Sequence, residues 1–108
     1  MHTTETAILV MTNAPDQATA AALADSLVKQ HLAACVNILG PCSSVYHWQV
    51  TVETSTEIPL LIKTTRDRYD AVEQAITALH PYELPEVVAV PIIAGLPAYL
   101  GWLQQHTV

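Results

Sequence analysis

The sequence predicts an α+β domain in which one antiparallel sheet carries helices on one face. Three observations carry that expectation. The chain is 108 residues long, which suits one domain. Apolar runs of strand length alternate with stretches of helical period in the order β-α-β-β-α-β. Between the two helical stretches, Leu32 to Thr65 reads as one unusually long hairpin.

Taken in order, Ala7 to Thr12 (AILVMT) is a short apolar run, as in a central strand covered on both faces. Asn13-Ala14-Pro15-Asp16 then starts a helix. Asn is a good cap, Pro suits the first turn, and Asp favours the positive end of the dipole. The helix is expected to run to about His31, with Ala20, Leu23, Ala24, Leu27 and Val28 as its apolar stripe. Its many alanines allow close approach to a sheet. Leu32 to Leu39 (LAACVNIL) is apolar on both faces, and Gly40-Pro41 breaks or bends it.

Ser44 to Val52 alternates, with Tyr46, Trp48, Val50 and Val52 facing one way and Val45, His47, Gln49 and Thr51 the other. Glu53-Thr54-Ser55 is the expected turn, and Glu57 to Thr65 (EIPLLIKTT) the return strand. Pro59 has no N–H to donate, which predicts a sheet edge or a bulge there. Asp67 to Leu79 reads as the second helix, capped by Thr65, with Tyr69, Val72, Ile76 and Leu79 along one face. His80 closes it where the dipole favours a cation, and Pro81 forbids continuation. Val87 to Ile93 is the last strand. Pro97 to His106 is a short terminal helix that packs through Tyr99, Leu100, Trp102 and Leu103.

This order is the split βαβ, ferredoxin-like arrangement. Its hairpin is far longer than the usual strand of about 5–6 residues. Its apolar faces also exceed what two small helices can cover. The hairpin is therefore expected to overhang its own core and pack on neighbouring copies, partly by strand pairing, in an obligate homo-oligomer.

Composition removes several classes of function. Hydrophobic residues make up 51% of the chain and charged ones 13%, with a net charge of −6. The basic residues are Lys29, Lys63, Arg66 and Arg68, too few for the stripe that a phosphate backbone requires, so no nucleic-acid partner is expected. No apolar run reaches the ~20 residues of a membrane span, and the start of the chain lacks the basic region of a signal peptide. A soluble cytoplasmic protein is expected. Neither G-x-S-x-G, a Walker lysine loop nor G-x-G-x-x-G occurs, so neither a serine hydrolase nor a phosphate cradle is expected. Cys35 lies in an apolar strand away from any base and reads as inert, while Cys42 reads as more exposed.

Two constellations remain. His80, Glu83 and Glu86 form the best local metal-ligand cluster, although Pro81 and Pro85 hold that stretch extended. The same residues also read as a corner, with His80 capping the helix and the carboxylates meeting solvent or Lys63. The second constellation is Trp48 with Glu57 and Lys63. Trp48 and Tyr46 put large rings on one strand, while Glu57 and Lys63 share a face of the return strand. In an oligomer such groups can line a cleft between subunits.

LAACVNIL, SVYHW, LLIKTT, LHPYELPEVVAVPI and YLGWL, in this order and spacing, closely resemble the CutA (CutA1) family of divalent-cation tolerance proteins. The resemblance spans about Leu9 to Leu103. It implies a ferredoxin-like subunit in a homotrimer tied together by the long hairpin, similar in architecture to PII signalling proteins. It also implies a role in divalent-metal tolerance, with copper binding proposed for the family and no enzymatic activity established. Where some members carry a cysteine at the end of the first strand, this chain has Thr12. Where some carry two successive histidines, it has Leu79 and His80. Val50 replaces a usual glycine and Pro59 a usual aliphatic residue.

The expectation is thus a non-enzymatic homotrimer with no obligatory cofactor, and with Cu(II) or another divalent cation as candidate ligand. His80 and Glu86 are the metal candidates. Trp48, Glu57, Lys63 and Tyr82 are the cleft candidates. The alternative is a PII-like small-molecule sensor that binds an anionic metabolite near Lys63 and Trp48 at the inter-subunit cleft and acts through a protein partner.

Overall fold

In a computed structural model that describes residues 6–108, the elements run in the expected order. They are β1 (Ala7–Ala14), α1 (Gln17–Lys29), β2 (Cys35–Ile38), β3 (Cys42–Trp48), β4 (Thr51–Thr65), α2 (Tyr69–Leu79), β5 (Val88–Pro91) and α3 (Pro97–Gln105). The sheet is antiparallel throughout, in the order β2-β4-β1-β5, with β3 pairing the first half of β4. His2 lies outside the described residues.

The sheet follows from alternation. On β4, Ile58, Leu60, Ile62 and Thr64 point to one face, and on β1, Ile8, Val10, Thr12 and Ala14 do the same. Ala20, Leu23 and Leu27 of α1 and Val72 and Ile76 of α2 close over that face to form the core. Burying each large aliphatic side chain stabilises the fold by roughly 1.5–3 kcal/mol. The terminal helix reaches the opposite face, where Lys63 Nζ stands 5.9 Å from the centre of the Tyr99 ring. Leu103 is fully buried apart from the main core. Leu100 is half-buried, while Tyr99 and Trp102 keep about two fifths of their surface in solvent.

Several boundaries differ from the sequence reading, each for a local reason. The cap of α1 is Asp16, not Asn13: its Oδ1 accepts from Thr19 N–H at 2.8 Å. Asn13 stays in β1, whose ladder with β4 runs on to Ala14. The helix stops at Lys29, because His31 adopts a left-handed φ of 58° and turns the chain toward the sheet. Thr65 precedes a 3-10 turn over Arg66–Arg68, with no capping bond from its side chain. The final strand is shorter than expected at both ends.

The hairpin turn lies at Gln49-Val50, not at Glu53-Thr54-Ser55. Trp48 pairs with Thr51, a two-residue loop that requires an unusual backbone at its first position, and Gln49 takes φ of 57°. The polar triplet lies instead within β4, opposite Tyr46, Val45 and Ser44. Val52 therefore shares a face with its partner His47, not with Tyr46 and Trp48.

Pro59 occupies an interior strand, and a bulge accommodates it. Leu39, Gly40 and Pro41 stand opposite only Ile58 and Pro59, because β2 pairing ends at Ile38↔Leu60 and β3 pairing resumes at Cys42↔Glu57. The Pro59 carbonyl accepts from Leu39 N–H at 2.9 Å. A strand residue aims its N–H and C=O at the same neighbour. The missing N–H thus falls where the facing strand is already broken.

Beyond the bulge the β3–β4 ribbon projects without cover. The molecule measures 48 × 25 × 24 Å, and its radius of gyration of 14.5 Å exceeds the ~13 Å of a compact chain of this length. Val45, Val50 and Val52 are 68%, 97% and 64% exposed. No helix among the described residues is long and apolar enough to cross a membrane.

Two substitutions test this frame by denaturant unfolding at fixed protein concentration. Leu60→Ala is expected to cost about 2–5 kcal/mol, as a large deletion in a closed core does. Gln49→Gly is expected to stabilise by about 0.5–1 kcal/mol, because glycine accepts the left-handed conformation without strain.

Candidate functional site

The corner after α2 is a network of hydrogen bonds around a buried imidazole. His80 ends the helix, its N–H bonded to the Ile76 carbonyl at 2.8 Å, and its ring turns inward and is buried. The backbone N–H of Tyr82 donates to His80 Nδ1 at 3.2 Å. The proton therefore rests on Nε2, which donates to the Asn13 carbonyl at 2.6 Å. The rings of His80 and Tyr82 lie 4.6 Å apart. Pro81 and Pro85 stiffen the backbone around them.

Tyr82 carries the network to β4, donating its hydroxyl proton to Glu57 Oε2 at 3.0 Å. Burial pushes the Tyr82 hydroxyl up to about 12, with the Glu57 hydrogen bond and negative charge adding to it. Glu57 is itself only 7% exposed. On the other side, Asn13 Nδ2 donates to Glu86 Oε1 at 3.0 Å. The corner thus ties α2, the end of β1 and the middle of β4 together.

Above this network lies a groove of about 810 Å³ between β3 and the 82–88 segment. Tyr46 and Trp48 of β3 line it, and so do Glu53 and Glu57 of β4 and Tyr82, Glu83 and Glu86 of the corner. The structure therefore brings Trp48, Glu57, Tyr82 and Glu86 to one place. Lys63 shares a strand face with Glu57 but lies about 20 Å further along at the usual strand rise, against Tyr99. His80 lies beneath the groove with both ring nitrogens engaged. No group of three His, Cys, Asp or Glu side chains converges as a metal site among the described residues.

Sequence reasoning missed the part played by Asn13. It passed for a helix cap, while its carbonyl and amide hold His80 and Glu86. An exposed-looking Asn at the end of an apolar strand carried no mark of that role. It also left Glu53 outside the candidate set, because the turn was expected at Glu53-Thr54-Ser55 and not at Gln49.

Comparison with known proteins gives this geometry a context. The family model described as CutA1 divalent ion tolerance protein matches residues 8–106. The chain belongs to the CutA1 family. A relative from Thermus thermophilus, named divalent-cation tolerance protein CutA, is 41% identical over 99 residues, covering 92% of this chain and 96% of its own. The solved structure of a divalent cation tolerance protein from Thermus thermophilus superposes with a TM-score of 0.93 at 40% identity, over 94% of this chain and 99% of that one. A chloroplastic CutA 1 protein of rice is 41% identical over 105 residues, but these are 59% of its length. The five-stranded antiparallel sheet with its three helices is thus the fold that this chain shares with solved CutA1 structures.

Two outcomes follow for Tyr82. Tyr82→Phe is expected to cost about 1 kcal/mol, by removing the hydrogen bond and leaving Glu57 without a donor. Its raised hydroxyl also sets a sign. The folded state holds that proton more tightly than the unfolded chain, so the contribution is complete below about pH 10. It is lost as pH rises from there through about 12. Tyr69, which donates to Glu73, is also raised, so an ultraviolet titration of tyrosinate should show Tyr82 as the last hydroxyl to ionise, and Tyr82→Phe should remove that last step.

Proposed function

We propose that this protein is a non-enzymatic homotrimer of the CutA1 family that serves divalent-cation tolerance, with its ligand groove at the base of the projecting hairpin. The observation that carries the reading is the hairpin itself. A two-stranded ribbon with exposed valines and both edges free is marginal in water alone. It becomes stable when neighbouring copies cover it. A cytoplasmic setting belongs to the same proposal.

The charge of the groove favours a cation over an anion. Its acidic side chains are Glu53, Glu57, Glu83 and Glu86, beside one histidine, His47, and with no lysine or arginine in the lining. Within one chain Lys63 lies outside the groove that Trp48 lines, so the PII-like reading, an anionic metabolite held by both, requires the two side chains to come from neighbouring copies.

A divalent cation, copper(II) included, is proposed at His80 and Glu86. His80 can offer the Nδ1 lone pair only when the Tyr82 N–H lets it go, and Glu86 supplies a carboxylate oxygen. Metal binding there would therefore loosen the corner. Light scattering of the purified protein is expected to give the mass of three chains. A single-chain mass would overturn the trimer. Titration of metal-free protein with Cu(II) is expected to show binding weakened about tenfold or more by either His80→Ala or Glu86→Gln. Affinity unchanged in both variants would remove the metal from this corner and leave it structural.

A further inference from the structure

The charges of this chain lie on two surfaces that cannot meet within it. One is the groove, whose lining holds four glutamates and no lysine or arginine. Two of them, Glu53 on the ribbon wall and Glu83 on the corner wall, stay exposed. The other surface is the sheet face away from α1 and α2. Lys63 stands there, and the strand pairing puts Leu9, Met11, Leu61, Val88 and Val90 on the same face. Val88 and Val90 are 46% and 42% exposed.

Lys63 is the cation left over. Lys29 pairs with Asp25 at 2.9 Å, and Arg68 donates from Nε to the Thr107 carbonyl at 2.6 Å. Arg66 is engaged as well. Among the described residues no carboxylate reaches Lys63, whose ammonium stands near the Tyr99 ring. A half-buried lysine on an apolar face loses its remaining water once a neighbour covers that face, and it then needs an anion. Its own chain does not bring one. Glu53 precedes it on β4 by about 33 Å at the usual strand rise.

The two surfaces complement each other. The groove offers carboxylates and, in Tyr46 and Trp48, rings partly open to solvent that can cover a lysine stem as Tyr99 does. The sheet face offers the cation and apolar surface for the exposed ribbon. A contact between two different patches repeats head to tail, and it closes into a ring when the rotation allows.

We propose that Lys63 of a neighbouring copy enters the mouth of the groove between Glu53 and Glu83, so that two chains together complete the groove. The proposal rests on the reading of this protein as a homotrimer and identifies the contact that orders it. A ligand of the groove then meets a cation as well as carboxylates.

The test is carbodiimide treatment of the full-length protein at low ionic strength, which couples a lysine to a carboxylate where the two touch. Species of two and three linked chains are expected on a denaturing gel, with peptide mapping that joins Lys63 to Glu53 or Glu83. Lys63→Arg keeps the charge but has no amine to couple, so it should lose the link and keep the mass found by light scattering. Lys29→Arg should leave the link in place. Lys63→Glu sets like charges together and should raise the concentration at which the chains separate about tenfold or more. A three-chain mass with Lys63 unlinked, or linked to any other carboxylate, would overturn the contact and leave the trimer. So would a Lys63→Glu assembly as tight as wild type. A single-chain mass would overturn the trimer and this contact with it.

Discussion

Strand β4 is fifteen residues long and pairs with β1 along one edge and with β2 and β3 along the other. That double use is the constraint on which the rest of the molecule depends. Its second half, from Ile58 onward, is buried every other residue and forms the centre of the core. Its first half runs out into solvent with only β3 for company. Ile58 and Pro59 mark the change, where the facing strand carries one residue more than β4 does. A bulge raises the local twist and bends the strand that carries it. It therefore aims the hairpin away from the core and leaves a groove at its base.

The groove and the corner are one unit because Glu57 belongs to both. It lies at the junction, paired with Cys42 at the first residue of β3, and it accepts from Tyr82 across the groove floor. From Tyr82 the bonds continue through His80 to Asn13, and from Asn13 to Glu86. A ligand that engages Glu57 would thus feel the end of β1 and the end of α2. Partly buried polar networks of this kind hold a unique geometry when their members are satisfied. Glu57 is the member that also lines the groove.

The element order, the core faces of both long helices and the terminal helix were legible in the sequence, because apolar periodicity is set by burial. Ala20, Leu23, Leu27, Val72 and Ile76 are buried as their spacing predicts. The exposed apolar hairpin was legible for the same reason, as more greasy surface than the helices could cover. The turn was not. Gln49-Val50 has no glycine or asparagine to mark it, whereas Glu53-Thr54-Ser55 is polar and looks like a turn. Pro59 announced a disturbance, but whether that meant an edge or a bulge depends on the opposite strand. Part of the site was visible in the aromatic and acidic residues. Within the chain Lys63 stands apart from Trp48, because a shared strand face says nothing about distance along the strand. The inward turn of His80 depends on Asn13, remote in sequence, which no local pattern could reveal.

The central claim is that the projecting hairpin is covered by other copies of the chain and is not a free ribbon. Amide hydrogen exchange over Val45 to Glu57 tests it most directly. A free two-stranded ribbon opens readily, and its outward-facing amides exchange almost as fast as unfolded chain. The account predicts that these amides, those on the outer edges of β3 and β4 included, exchange as slowly as the core amides of Leu60 and Ile62. Fast exchange across the hairpin, beside a protected core, would contradict it.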